Sequence, residues 1–398
     1  MSDTVLTPPQ RRRGMIAVIT CMTVTALIFG LSWPLFALRL EEMGASESAI
    51  GWNAAAQAIA ILAVAPVMPW LLARFSAAWV MIVSILASIV ALLLCPLLPD
   101  EDIWFVLRLF VGAFGHIMWI AGETWINQIA EEKSRGRTMA LYGMALGLGS
   151  AIGPTVLTIV GIEGWTPFVL AAGLTLISTI PIAMAIDSVP PSELDHSGAH
   201  GHAWHSVVRS LFHAPLPMLL NLCFALIFGA VWTFLPIYGP VVGLDAHTAI
   251  MFLTLQSLGG IVMQYPIGWV ADRMDRRLLS VILVGVSCVS YLFIPSALAD
   301  PFWAGPYIFF LGGLSGAIYS LALTLIGEQF RGASLAGAST MFTVMWNVGA
   351  FVGPPATGTA MALGGLEAFP YVLVVMTLIF LPVTIASYLN RKRTLKGD

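Results

Sequence analysis

The sequence predicts an all-α membrane protein with twelve transmembrane helices in two pseudosymmetric six-helix bundles. Three observations predict it. Apolar residues make up 58% of the 398-residue chain and charged ones only 10%, where a soluble domain carries about a quarter charged. Apolar runs long enough to cross roughly 30 Å of hydrocarbon recur from end to end. Short motifs of the first half return in the second at a nearly constant offset, which marks an internal repeat.

The first span, near 15–39, follows Arg11, Arg12 and Arg13. Its run is too long for a secretory leader and has no small-residue cleavage site, so it is read as retained. The second and third, 49–73 and 77–98, are separated by Arg74. The fourth, 103–130, opens behind Asp100, Glu101 and Asp102, and the fifth, 137–161, follows Lys133, Arg135 and Arg137. The sixth lies near 166–187. The second half supplies 215–240, 247–271, 278–298, 303–327, 334–362 and 368–390, the last trailed by Arg391, Lys392, Arg393 and Lys396. Loops rich in Lys and Arg alternate with loops that hold acids (Glu41, Glu42, Glu47, Glu163, Asp245, Asp300, Glu367). The positive-inside rule then places both termini in the cytoplasm of an inner-membrane protein, which requires an even number of spans. Cys21, Cys95, Cys223 and Cys288 all fall inside spans without metal-like spacing and are expected to be free thiols.

Leu27-Ile28-Phe29-Gly30-Leu31-Ser32-Trp33 returns as Leu226-Ile227-Phe228-Gly229-Ala230-Val231-Trp232, 199 positions later. The same offset relates Gln57 to Gln256, Trp70 to Trp269 and Arg74 to Arg273. Gly149-x-x-x-Gly153-Pro154 returns as Gly349-x-x-x-Gly353-Pro354. Ordered matches of this kind divide the chain into an N-terminal bundle, 1–189, a cytoplasmic linker, 190–213, and a C-terminal bundle, 214–398. The linker carries His196, His200, His202, His205 and His213. Imidazoles bind zinc, nickel and copper, so metal-ion export is one reading. A solvated linker with no metal site is the favoured one.

The fourth span carries charges where lipid forbids them. At about 100° per residue, Arg108, Gly112, Gly115, Trp119 and Glu123 share roughly a third of the helix circumference, with His116 on the same flank. Charge at bilayer depth costs several kcal/mol, so this stripe is expected to face the protein interior and to mark a pathway. Arg108 and Glu123 lie about 22 Å apart along the axis, so each needs its own partner. Glu123 is the candidate proton carrier, because burial favours the neutral form of a carboxyl. Arg108 keeps its charge and offers a fixed counter-charge or an anion site. His116 titrates in range but is read first as a hydrogen-bond partner. Trp33, Trp119 and Trp232 are candidate aromatic walls of a substrate cavity, with Arg39, Asn53, Gln57, Gln256 and Asn347 as its polar anchors. Packing remains the alternative for each of these. The glycines of the two Gly-x-x-x-Gly-Pro stretches let helices approach closely, and their prolines bend the helix.

Between the eighth and ninth spans the chain reads Gly268-x-x-x-Asp272-Arg273-x-x-Arg276-Arg277. This resembles the loop signature of the major facilitator superfamily, with Asp275 in place of its second glycine. The corresponding site after the second span has Ala73-Arg74 and lacks the acid. Arg108-x-x-x-Gly112 resembles the family's intramembrane arginine motif. Gly149-x-x-x-Gly153-Pro154 resembles the motif of its antiporters. Glu123-Thr-Trp125-Ile, Arg135-Gly136 and Tyr142 resemble a bacterial subgroup of exporters. The resemblance covers the whole chain and implies a secondary transporter that alternates access between the two sides of the membrane. Asp272, with Arg273 and Arg276, is then expected to latch against the start of the fifth span near Gly136, where helix N–H groups favour an anion. Proton-coupled export of a hydrophobic or amphipathic small molecule is the leading expectation, and proton-coupled uptake of a small organic anion its rival. No nucleotide-binding loop, catalytic carboxylate pair or Ser/His/Asp set suggests an enzyme, and nothing suggests a cofactor, a resident metal or a nucleic-acid partner. The expected partners are the substrate, a proton and the bilayer, with the chain acting as a monomer.

Overall fold

The computed structural model describes residues 6–132, 134–190, 208–330 and 333–397. Lys133, the linker residues His196, His200, His202 and His205, and Arg331 with Gly332 lie outside them. The described residues fall into two compact units. One is drawn from Met1–Ala45 and Ala56–His196, the other from Ser46–Ala55 and Ser197–Asp398.

In the first unit α1 spans Pro8–Glu42, α2 Glu47–Val64, α3 Met68–Arg74, α4 Ala77–Leu97, α5 Glu101–Ile129, α6 Arg135–Val160, α7 Thr166–Ile177 and α8 Thr179–Met184. The opening turns of α2 belong to the second unit, which continues with α9 (Pro215–Tyr238), α10 (Ala246–Ala271), α11 (Arg276–Leu292) and α12 (Ile294–Leu298). It closes with α13 (Pro301–Gln329), α14 (Ala333–Gly364), α15 (Phe369–Leu378) and α16 (Leu381–Gly397). Among the described residues, nine helical stretches are long and apolar enough to cross a membrane. A tenth joins them if α2 and α3, bent by 59°, count as one span. The break falls at Pro66, which lacks the N–H that would continue the ladder. The other two expected spans are occupied by α11, which at 17 residues reaches only about 26 Å, and by the 32-residue α14. Large apolar side chains such as Ile159, Tyr265 and Leu363 stand exposed along the spans, the inverse of a water-facing surface.

The helices pack through glycine in both units. In the first, Cβ atoms at Gly149 and Gly153 would collide with the α1 backbone at Thr23 and Leu27, and one at Gly30 with Ser150 on α6. In the second, Gly349 and Gly353 meet the α9 backbone at Leu222 and Leu226 in the same way. No side chain larger than hydrogen fits at these crossings, so backbones approach as closely as helices allow. Gly51 on α2 lies against Pro354, and Trp52 stacks edge-on to Phe351 at 6.0 Å, which seats the start of α2 on α14 within the second unit. The core of the first unit gathers Met22, Met81, Ile85, Ala121, Trp125 and Ile126, so one face of α5 is buried along its length.

Candidate functional site

The site is built on α5, and its start is anchored from both sides. Asp100 caps the helix, its carboxylate accepting from the N–H groups of Asp102 and Ile103 at 3.1 and 3.0 Å. Trp104 donates its indole N–H to the carbonyls of Cys95 and Leu98 at the end of α4. Its ring packs edge-on with Phe36 and Phe168, at 5.2 and 5.8 Å between centroids.

One turn further in, Arg108 is only 1% exposed. Its guanidinium carbon lies 4.2 Å above the centre of the Phe36 ring and 5.9 Å from that of Trp33. It donates Nη2 to Gln57 Oε1 at 3.3 Å and Nη1 to the Ser32 carbonyl at 3.4 Å, while Nε has no partner among the described residues. Long hydrogen bonds and a ring face answer this charge; no carboxylate pairs with it among the described residues. Gly112 brings Gln57 within reach, because a Cβ there would stand 2.9 Å from the Gln57 Cα.

His116 closes back on its own helix, with Nδ1 at 2.6 Å from the Gly112 carbonyl. A carbonyl only accepts, so Nδ1 carries the proton in this hydrogen bond. Less than one turn on, Trp119 donates its indole N–H to Glu123 Oε1 at 2.9 Å. Asn127 donates its amide to the Glu123 backbone carbonyl at 2.8 Å. Glu123 faces a cavity of about 650 Å³, which it lines with Ile120, Thr124, Asn127, Gln128, Arg135 and Pro190. That volume is in the range that holds a small molecule. Thr124, Asn127 and Gln128 were not singled out from the sequence as site residues, and Arg135 was noted only as a loop charge and as part of the motif with Gly136. Asn127 follows Glu123 by four residues, so helical spacing alone marks it as a neighbour. Arg135 enters only because the chain turns back between α5 and α6.

The other expected residues are distributed as follows. Arg39 is engaged locally by Glu42 at 2.6 Å. Trp33 and Trp232 are buried; Trp33 lies tilted against Phe29 at 5.6 Å between centroids, and Trp232 stacks on Phe228 at 4.9 Å. Asn53 buries its amide nitrogen, and Gln256 its amide oxygen, without a partner among the described residues. Asn347 donates to the Thr343 carbonyl at 2.8 Å, while its own oxygen is buried without a donor among the described residues. Asp272 accepts from Arg276 at 3.0 Å, and Arg276 also pairs with Glu328 on α13. Arg273 instead stacks on the ring of Trp269 at 3.9 Å. His213, at the end of the linker, lies against the ring of Phe330 at 6.0 Å. No group of three metal-ligating side chains occurs among the described residues.

Solved structures that share this architecture include transporters. A mutant of the nucleoside transporter NupG superposes with a TM-score of 0.79 at 11% identity, covering 94% of this chain and 99% of that one. A bacterial homologue of the human lysosomal transporter Spinster, solved inward-facing and unoccupied, superposes with a TM-score of 0.75 at 13% identity, covering 98% of each chain. By sequence the chain is 22% identical over 343 residues to YfkF of Bacillus subtilis, an uncharacterized MFS-type transporter, covering 86% of this chain and 87% of the relative. It is 24% identical over 276 residues to an uncharacterized MFS-type transporter of Yersinia enterocolitica, covering 68% of this chain and 69% of that one. The sequence model of the Major Facilitator Superfamily matches residues 18–254 and 218–398. A helical, multi-pass membrane chain with this match is a secondary transporter and not an enzyme, and it belongs to the Major Facilitator Superfamily.

Proposed function

We propose that Glu123 takes up and releases the coupling proton of a secondary transporter that exports a hydrophobic or amphipathic small molecule by alternating access. The 1–189 and 214–398 halves act as the two bundles, in the inner membrane with both termini cytoplasmic. The observation that carries the reading is the setting of Glu123. Its carboxylate stands between one neutral donor, Trp119, and a polar cavity, and among the described residues it makes no ion pair. An indole and an open, polar cavity leave room for both the neutral and the ionised form, as a coupling group requires. Export rests on the resemblance of Gly149-x-x-x-Gly153-Pro154 to the antiporter motif. A second reading, uptake of a small organic anion, is favoured by Arg108, a buried cation with no carboxylate paired to it among the described residues.

A thermal-shift screen over amphipathic cations, organic anions and nucleosides first identifies a ligand, since binding to the folded state raises its melting temperature. Glu123→Gln is then expected to abolish uphill flux driven by a pH gradient in proteoliposomes, with ligand affinity in detergent kept within a few-fold. Full pH-driven flux in this variant would remove Glu123 from proton coupling. Loss of binding together with flux would place it in the substrate site instead. Under the second reading Arg108→Lys weakens ligand binding, because an ammonium does not reproduce the guanidinium fork.

A further inference from the structure

We propose that the end of the last helix forms a binding site for the headgroup of an anionic phospholipid. Helix α16 runs unbroken from Leu381 to Gly397, so the basic residues beyond the span are held at defined positions. Ile385 and Leu389 stand exposed on one face of it, 39% and 47% open. Exposed apolar side chains of a membrane span face acyl chains. Lys392 and Arg393 follow Leu389 by three and four residues, continue that face by helical geometry, and are exposed. They stand where acyl chains give way to phosphates.

Contacts with the neighbouring helix hold this end in place. Arg277, at the start of α11, donates Nη1 to the Ser387 carbonyl at 3.1 Å. Arg391 pairs with Asp275 at 3.6 Å. Asp275 is itself positioned by accepting from the N–H groups of Arg277 and Leu278 at 2.8 and 3.3 Å. The Lys392 ammonium lies 5.4 Å from the centre of the Tyr388 ring. Of the four cations Arg277, Arg391, Lys392 and Arg393, only Arg391 pairs with a carboxylate among the described residues, so positive charge is left in excess. Guanidinium forks match the oxygens of a phosphodiester. Each cation near an anionic leaflet contributes roughly fivefold in affinity. Phosphatidylcholine carries its own cation and gains little from such a cluster.

The test uses the full chain, purified in detergent and supplemented with phosphatidylglycerol or phosphatidylcholine. Phosphatidylglycerol is expected to raise the melting temperature by about 2 °C or more over phosphatidylcholine, and the difference to shrink with added salt. Neutralising Arg391, Lys392 and Arg393 to Gln should lower affinity for phosphatidylglycerol by roughly a hundredfold and erase the difference. Lys392→Gln with Arg393→Gln leaves the Asp275 pairing intact and serves if the triple variant does not fold. It too should lose most of the effect, while Arg391→Lys with Arg393→Lys keeps most of it. Equal shifts with the two lipids in the unaltered chain would overturn the proposal, as would a full phosphatidylglycerol effect in the neutralised variants. A matching shift from soluble glycerol phosphate would also overturn it, since it would mark a free-phosphate site.

Discussion

The crossing of α5 over α2 and the crossing of α13 over α10 are the same joint built twice, with different chemistry in it. In the first, Gly112 sits on the backbone of Gln57. In the second, Gly312 sits on the backbone of Gln256, with a would-be Cβ 2.7 Å from its Cα. One turn before the glycine the first joint has Arg108 and the second has Ile308, both buried. The Gln57 amide oxygen accepts from Arg108, while that of Gln256 is buried with no donor among the described residues. Further along, Glu123 of the first joint corresponds to Leu323, which is 45% exposed. The repeat has kept the close packing on both sides and the titratable groups on one. Packing and chemistry are therefore separable in this molecule, and of these two joints only the first holds a buried arginine and a glutamate.

Three pairs of substitutions bear on that comparison. The largest effect is expected where packing is shared. Gly312→Val should cost about 3 kcal/mol and Gly112→Val roughly 2 kcal/mol, because an added side chain must displace backbone. Thermal denaturation in detergent measures both, and a neutral result at either would mean that the helices can part there without loss.

The next effect separates the two joints. Gln57→Leu removes an acceptor from a buried guanidinium and should cost about 2 kcal/mol. Gln256→Leu removes an oxygen that has no donor and should be neutral, or stabilising by up to about 1 kcal/mol. Equal losses would show that Gln256 has a partner of the same weight, such as bound water or substrate.

The smallest effect lies at the helix starts that lead into these joints. Ser46 Oγ accepts from the Ala49 N–H at 3.2 Å, and 199 residues on Asp245 accepts from the Thr248 N–H at 3.2 Å. The bond to Thr248 holds the Asp245 carboxyl below its usual value. A group with a lowered folded pKa contributes stability that is present above the unfolded value, near 3.9, and is lost as pH falls through the folded one. Asp245→Ala should therefore lower the melting temperature slightly at neutral pH, with the gap closing below about pH 4. The gap for Ser46→Ala should not change over that range. A pH-independent gap at Asp245 would mean that the carboxylate contributes nothing beyond a neutral cap.

Much of this architecture was legible in the residues. Runs of apolar side chains and the Gly-Pro motifs are local properties, and they mark the apolar helices and the repeated glycine packing. The stripe on α5 was legible for the same reason, since one helix sets the spacing of Arg108, His116, Trp119 and Glu123. The indole of Trp119 on the Glu123 carboxylate follows from an i, i+4 spacing on that stripe.

Partners on other helices were not legible. That Arg108 lies over Phe36 and reaches Gln57 depends on how closely α1, α2 and α5 approach, which no single stretch encodes. Nothing in Asp275 or Arg391 alone indicates that residues 116 apart in sequence meet and order the end of α16. By itself the sequence determined that long apolar helices recur along the chain and which face of α5 carries charge, because hydrophobic periodicity acts within one helix. The tertiary structure decided which charge is answered by an amide, a ring, a carboxylate or a cavity. That choice depends on contacts between helices distant in the chain, and each unanswered polar group in an apolar interior costs enough to matter.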